Sequence, residues 1–209
     1  MREPEVIRWV LKPVAWVACL SPAAWLVAGL VRSDLGADPV KTLTHTTGLS
    51  ALTILLVTLS VSPARWLTGI NGLVRLRRLL GLFAYFYAVL HFLIYAVFDH
   101  QLSVADITDD VVEHPWVLVG FATLVILTTL AVTSPAAAIR RLGGKRWQRL
   151  HRLVYLAGGL AVLHFYWLVK KDVSEPLRYA AILGLLLSAR AIKARWRRSP
   201  PVAEPIRGT

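Results

Sequence analysis

Six apolar stretches, each long enough to cross a bilayer, alternate with short polar segments along these 209 residues. That alternation constrains the fold before any other feature is weighed. A membrane helix needs about 20 apolar residues, with about 17 tolerable. Backbone groups in hydrocarbon must find their hydrogen bonds internally, so the runs are expected to be helices. They lie near 13–31, 42–62, 79–98, 116–133, 150–169 and 177–192, and take up more than half the chain. Residues 1–198 therefore read as a single all-α membrane domain, a six-span transmembrane helical bundle. The Pro-rich stretch 199–209 reads as a disordered cytoplasmic tail. The first run follows Arg2, Arg8 and Lys12 as a signal peptide would, but its length and the five later runs mark it as a retained helix.

The formal net charge of +12 is distributed unevenly. Arg65, Arg75, Arg77 and Arg78 separate runs two and three. Arg140, Arg141, Lys145, Arg146 and Arg149 separate runs four and five. Arg190, Lys193, Arg195, Arg197 and Arg198 close run six. The segment 97–115 carries Asp99, Asp106, Asp109, Asp110 and Glu113 with no Lys or Arg. This is the positive-inside pattern, which predicts both termini in the cytoplasm. It assigns the basic loops to topology and anionic membrane lipid rather than to nucleic acid. Trp66, Trp147 and Trp196 fall at the cytoplasmic ends and Trp116 and Trp167 at the outer ends, as an interfacial belt requires. The acidic segment reads either as a solvated loop or as a docking surface for an outer partner.

His91 and His164 lie inside runs three and five, which point the same way across the membrane. His91 is 12 residues past Leu79 and His164 is 14 past Leu150, so their depths differ by about 3 Å at about 1.5 Å per residue. Imidazole is costly in hydrocarbon unless it faces the interior and has a partner. Two at one level on different helices predict the two axial ligands of one haem iron, with no position left open. The only cysteine is Cys19 and there is no CxxCH, so the haem is b-type and non-covalent. The plainer alternative is a pair of hydrogen-bonded interior histidines.

The other histidines are less determined. His151 precedes His164 by 13 residues, about 20 Å along a helix, but about 140° away in helical phase; a kink at Gly158-Gly159 would restore a common face. The position facing it on run three holds Arg77 and Arg78, which cannot ligate iron. His151 thus fits a differently ligated metal, a flavin or quinone contact, or a helix-end anchor. Arg77 and Arg78 sit where the phosphate or propionate of an inner cofactor would need cations. His45 enters run two from outside, at the level for a propionate contact, a substitute ligand or a helix cap. His100 and His114 flank the acidic segment and are expected to be solvated. Pro22 should kink run one or be absorbed by neighbours, and run two is expected to end at Ser62-Pro63. No nucleotide fingerprint, Walker motif or zinc pattern is present, so electrons from a nicotinamide would have to arrive through another protein or a bound carrier.

Three long segments carry a family likeness: GADPVKTLTHTTGLSAL at 36–52, RRLLGLFAYFYAVLH at 77–91 and GKRWQRLHRLVYLAGGLAVLHF at 144–165. In them the chain resembles the MsrQ family, the haem-binding membrane subunits of the bacterial protein-methionine-sulfoxide reductase system. That family lies within the ferric-reductase-like transmembrane domains, which include the NADPH oxidases and the STEAP reductases. The resemblance implies a six-span inner-membrane b-type cytochrome that also holds FMN. It implies electrons from the quinone pool or a cytosolic flavin reductase. Their destination would be a periplasmic molybdopterin enzyme, MsrP, that reduces methionine sulfoxide in oxidised proteins. The chain would then be an electron-transfer subunit rather than the catalytic one. The family's essential histidines fall on His91, His151 and His164. NADPH oxidases carry a second histidine on the third span, which is missing here. One haem is therefore complete and a second lacks a ligand. Two other readings use the same residues: a stand-alone transmembrane ferric or quinone reductase, and a small transporter whose histidines relay protons.

Overall fold

The computed structural model describes residues 3–169 and 172–196, and among them no β-strand occurs. Two short pieces, α1 (Glu3–Val6) and a π-helical turn (Ile7–Leu11), lead into α2 (Lys12–Arg32). Then come α3 (Pro39–Thr68), a 3-10 turn (Asn71–Arg75), α4 (Leu76–Ile94) with a π-helical end (Tyr95–Asp99), and α5 (Val104–Glu113). The chain continues through α6 (Pro115–Val132), α7 (Ala136–Leu142), α8 (Gly144–His151), α9 (Leu153–Leu168) and α10 (Ser174–Trp196). Two hairpins dominate the packing, α3 on α4 and α6 on α9. The contacts α4–α6 and α3–α9 close them into a four-helix ring, with α2 and α10 outside.

Four helical stretches are long and apolar enough to cross a membrane: Ile7–Arg32, Pro39–Thr68, Asn71–Asp99 and Pro115–Val132. The fifth and sixth expected runs are helical as well. However, α9 has only 16 residues, and α10 carries Arg178 at one end and Arg190, Lys193 and Arg195 at the other. Large apolar side chains such as Trp9, Val17, Trp25, Val31 and Leu185 face outward, as lipid-facing positions should. Inside, small residues let backbones approach. Ala157 and Gly158 are buried, and a Cβ on Gly158 would already touch Leu183 and Leu59, at 3.4 and 3.6 Å.

Both internal prolines are absorbed, each by named donors. Pro22 cannot donate to the Ala18 carbonyl, which instead accepts from Ser21 Oγ at 2.9 Å. One residue on, the fully buried Tyr87 hydroxyl inserts into the ladder. It accepts from the Ala23 N–H (3.0 Å) and donates to the Cys19 carbonyl (2.6 Å). Run two does not end at Ser62-Pro63. Helix α3 continues to Thr68 and stops at Gly69, whose φ of 74° suits glycine. It can continue because the Leu59 carbonyl, which Pro63 leaves without a donor, is taken by the Arg190 guanidinium of α10.

Three further expectations are corrected. Helix α9 runs unbroken through Gly158 and Gly159; the interruption lies at Arg152, between α8 and α9. The acidic segment is not a plain loop but contains α5, started by Ser103 Oγ accepting from the Asp106 N–H at 3.3 Å. His100 and His114 are not simply solvated: they close on Asp110, at 3.2 and 2.7 Å. The expected tail, 199–209, lies outside the described residues, as do Arg197 and Arg198.

Candidate functional site

Each of the two interior histidines is held by the other helix of its own hairpin. His91, on α4, donates from Nδ1 to the Thr44 carbonyl of α3 at 2.9 Å. His164, on α9, donates from Nδ1 to the Trp116 carbonyl of α6 at 2.7 Å. A carbonyl can only accept, so the proton is on Nδ1 in both rings, and both Nε2 lone pairs are left for a metal. A hydrogen bond from the far nitrogen is the usual way a ligating imidazole is oriented.

The two rings lie next to each other across the hairpins, with centroids 6.3 Å apart and planes at 85°. A metal–imidazole bond of about 2.0 Å, plus about 1.2 Å from nitrogen to ring centre, puts two trans imidazole centroids about 6.4 Å apart. The observed spacing therefore suits one metal between them. Among the described residues there is no cluster of three or more His, Cys, Asp or Glu able to hold a metal ion. Two protein ligands are too few for a protein-only site. They are the right number for an iron that brings four nitrogens of its own.

Around the pair lies a cavity of about 1000 Å³, at the upper end of the about 300–1,000 Å³ common for small-molecule sites. Its inner walls are apolar, with Leu52, Leu55, Phe92, Leu124, Leu127 and Phe165. Toward the end bearing the acidic segment the lining turns polar, with Lys41, His45, His100 and His114. The same rim also carries Asp38, Asp99 and Asp110, so Lys41 is its one fixed cation among the described residues, with His45 beside it as a hydrogen-bonding group. An apolar slot with such a polar edge suits a flat macrocycle with carboxylates at one side. On donor chemistry, spacing and volume, the residues fit a b-type haem.

His45 lines this cavity, 3.9 Å from Glu175 of α10 and edge-on to Phe165 with centroids 6.3 Å apart. Lys41, one turn before it on the same face of α3, was not singled out by the sequence reading. The signal was there in the i, i+4 spacing of two basic side chains at a helix start. Also missed were Gly48 and Gly120, which lie directly against the His91 and His164 rings.

His151 is elsewhere. Its ring stacks on Trp147, 4.0 Å between centroids, and its Nε2 is 3.1 Å from Thr133 Oγ1. Trp147 Nε1 in turn donates to the Thr133 carbonyl at 2.9 Å, knitting α8 to the end of α6. Arg77 is half-buried and its Nε–H has no acceptor among the described residues, while Arg78 is exposed. Neither reaches the cavity between His91 and His164. At the outer rim, Asp110 receives Tyr95 Oη, His100 and His114. Burial opposes ionisation of the Asp110 carboxyl, but the hydrogen bonds from Tyr95 and His100, with His114 alongside, hold it below the ordinary carboxylate range.

Comparison with known proteins places this geometry. The family model "Ferric reductase like transmembrane component" matches residues 44–169, a span that includes both interior histidines and both carbonyls. A protein of Polaromonas naphthalenivorans named protein-methionine-sulfoxide reductase heme-binding subunit MsrQ is 47% identical over 189 residues, covering 88% of this chain and 86% of that protein. Its namesake in Rhodospirillum rubrum is 48% identical over 183 residues, covering 88% of each. The one in Xanthomonas oryzae is 44% identical over 210 residues, covering 94% of this chain and 95% of its own.

Proposed function

This chain belongs to the MsrQ family of haem-binding subunits, ferric-reductase-like membrane proteins of the methionine-sulfoxide reductase system, and from that premise we propose that it carries electrons across the bacterial inner membrane. The observation that carries the proposal is the pair of adjacent imidazoles, 6.3 Å between centroids, each with Nδ1 spent on a backbone carbonyl. His91 and His164 would hold haem b through their free Nε2 atoms, and the group would supply a one-electron couple there, which suits electron transfer.

The chain's own residues do the rest. The Thr44 and Trp116 carbonyls fix tautomer and ring direction and raise the basicity of the ligands. Leu52, Leu55, Leu124 and Leu127 keep water from the metal. Lys41 would pair with a carboxylate at the rim of the cavity, and His45 would offer it a hydrogen bond. The cavity opens beside the acidic segment, so an electron leaves toward a partner on that face, a periplasmic molybdopterin subunit of the MsrP kind. Six spans with both termini in the cytoplasm put the basic loops on the inner face. There His151, Arg77 and Arg78 serve an inner cofactor, FMN or a second metal centre. The donor is the quinone pool or a cytosolic flavin reductase. As an iron ligand His151 would have to exchange its Thr133 partner for the metal; as a flavin or quinone contact it would not.

The test is the low-spin haem absorption of the purified protein. His91→Ala and His164→Ala each abolish it, while His151→Ala leaves the outer haem's share. Full haem occupancy with an unchanged low-spin spectrum in His91→Ala would refute the ligand assignment.

A further inference from the structure

We propose that Gly48 and Gly120 are positioning residues that hold the His91 and His164 imidazole planes perpendicular and thereby set the electronic state of the iron they ligate. The proposal rests on the haem reading above and goes beyond it, from which residues bind to what fixes their orientation.

Each ring lies across one turn of the neighbouring helix in the same way. On α3 the Thr44 carbonyl accepts the His91 Nδ1–H at 2.9 Å. Four residues on, a Cβ at Gly48 would stand 3.0 Å from both Cε1 and Nδ1 of His91. On α6 the Trp116 carbonyl accepts the His164 Nδ1–H at 2.7 Å. Four residues on, a Cβ at Gly120 would stand 2.8 Å from Cε1, 2.9 Å from Nδ1 and 3.3 Å from Nε2 of His164. Such distances are at or below what real Cβ atoms show. Both glycines are mid-helix with no left-handed φ, so backbone conformation does not require them. Alanine would stabilise a helix interior by about 1 kcal/mol over glycine. What they permit is close approach. Elsewhere in the same molecule Gly159 and Gly184 face open space, and a methyl group there would meet nothing within 4 Å.

Close approach matters because the ring torsion of histidine, χ2, is broad and soft. A hydrogen bond pins one nitrogen but leaves the ring free to swing about it. A helix turn with no Cβ gives the ring a surface to lie on and removes that freedom. The α3–α4 and α6–α9 hairpins each supply one such saddle, and together they set the planes at 85°. Imidazoles with perpendicular planes donate into different iron d orbitals and leave those orbitals nearly equal in energy. Parallel planes split them. The hydrogen bonds made by an iron-ligating histidine are a lever on the iron's potential.

The experiment uses the full chain, purified with haem, and reads low-temperature electron paramagnetic resonance of the ferric form together with the midpoint potential. The wild type gives a strongly anisotropic low-spin signal. Gly120→Ala converts it to the three-line rhombic signal of more nearly parallel rings, or to high spin if the ligand is displaced. Its potential rises, because a strained Nδ1–H···O bond makes a less basic ligand. Gly48→Ala moves both readouts the same way by less, and Gly184→Ala moves neither. If Gly120→Ala does not accumulate, Gly48→Ala against Gly184→Ala decides. A rhombic wild-type signal, or wild-type signal and potential in both Gly48→Ala and Gly120→Ala, would overturn the proposal. Low-spin haem persisting in His91→Ala and His164→Ala would instead overturn the haem reading beneath it.

Discussion

The contact between Arg190 and the Leu59 carbonyl can be tested as an energy. Pro63 leaves that carbonyl without its helical donor, and Arg190 replaces it while also donating to Tyr155 Oη and lying 5.0 Å from the Tyr155 ring centroid. Hydrogen bonds from a charged group contribute about 1.5–3 kcal/mol each, and a cation–π contact about 0.5–1 kcal/mol. Replacing Arg190 by Met is therefore expected to cost about 2–4 kcal/mol, after allowance for solvent reaching the half-buried guanidinium. Pro63→Ala restores a backbone N–H one turn below Leu59. In the wild-type background that donor competes with Arg190. In the Arg190→Met background it fills a site that is otherwise empty, so the double variant recovers part of the loss. The coupling expected is about 1–2 kcal/mol, well above the about 0.5 kcal/mol within which independent sites add. Denaturant unfolding in detergent micelles, followed by circular dichroism, measures the four corners of the cycle. The haem absorption per mole of protein should not move, because Arg190 does not line the histidine cavity. Strict additivity would refute the claim that Arg190 stands in for the missing donor.

Tyr87→Phe removes the hydroxyl that bridges Ala23 N–H and Cys19 O in a fully buried site; the expected loss is about 1–3 kcal/mol, read as a fall in thermal midpoint, with the haem spectrum unchanged. The Asp110 latch gives a pH dependence with a definite sign. Its carboxyl is held below the ordinary range in the folded state, so its stabilisation is full above the unfolded carboxylate pKa of about 3.9 and lost as pH falls through the lower folded value. Hydrogen exchange across α5 should show protection declining as pH falls through the carboxylate range, and Asp110→Asn should show the low-pH pattern at pH 7. Protection in Asp110→Asn equal to wild type would count against the latch.

Much of the bundle was legible in the sequence because hydropathy acts locally. The run expected at 116–133 is α6 almost residue for residue, and the run at 79–98 is α4 with its π-helical end. What escaped depends on partners distant in sequence. Pro63 reads as a helix end until Arg190, on another helix, is seen to satisfy Leu59. His100 and His114 look like loop histidines until α5 brings Asp110 between them. A kink at Gly158-Gly159 would bring His151 and His164 to a common face only if both lay on one continuous helix. The chain breaks at Arg152 instead, and His151 packs on Trp147 and Thr133. For the two interior histidines, depth brought His91 and His164 to the same level, but depth says nothing about what holds a ring. The holding groups are two backbone carbonyls and two glycines, which carry no side-chain signal.

A spacing shared by the two halves connects these observations. Trp116 and Gly120 follow Thr44 and Gly48 by the same 72 residues, and His164 follows His91 by 73. Each hairpin thus supplies one unit of the same kind: a histidine on the second helix, and a carbonyl and a glycine one turn apart on the first. The likeness is positional rather than chemical, since Thr44 and Trp116 share nothing but a carbonyl in the right place, so residue similarity does not reveal it. Because neither unit is built from both hairpins, a metal bound between His91 and His164 would add a link between α3–α4 and α6–α9 to the apolar packing that already joins them. Occupancy of the site and closure of the four-helix ring are then coupled, and a group that binds only the closed ring stabilises it by an amount that grows with the logarithm of its concentration over its Kd.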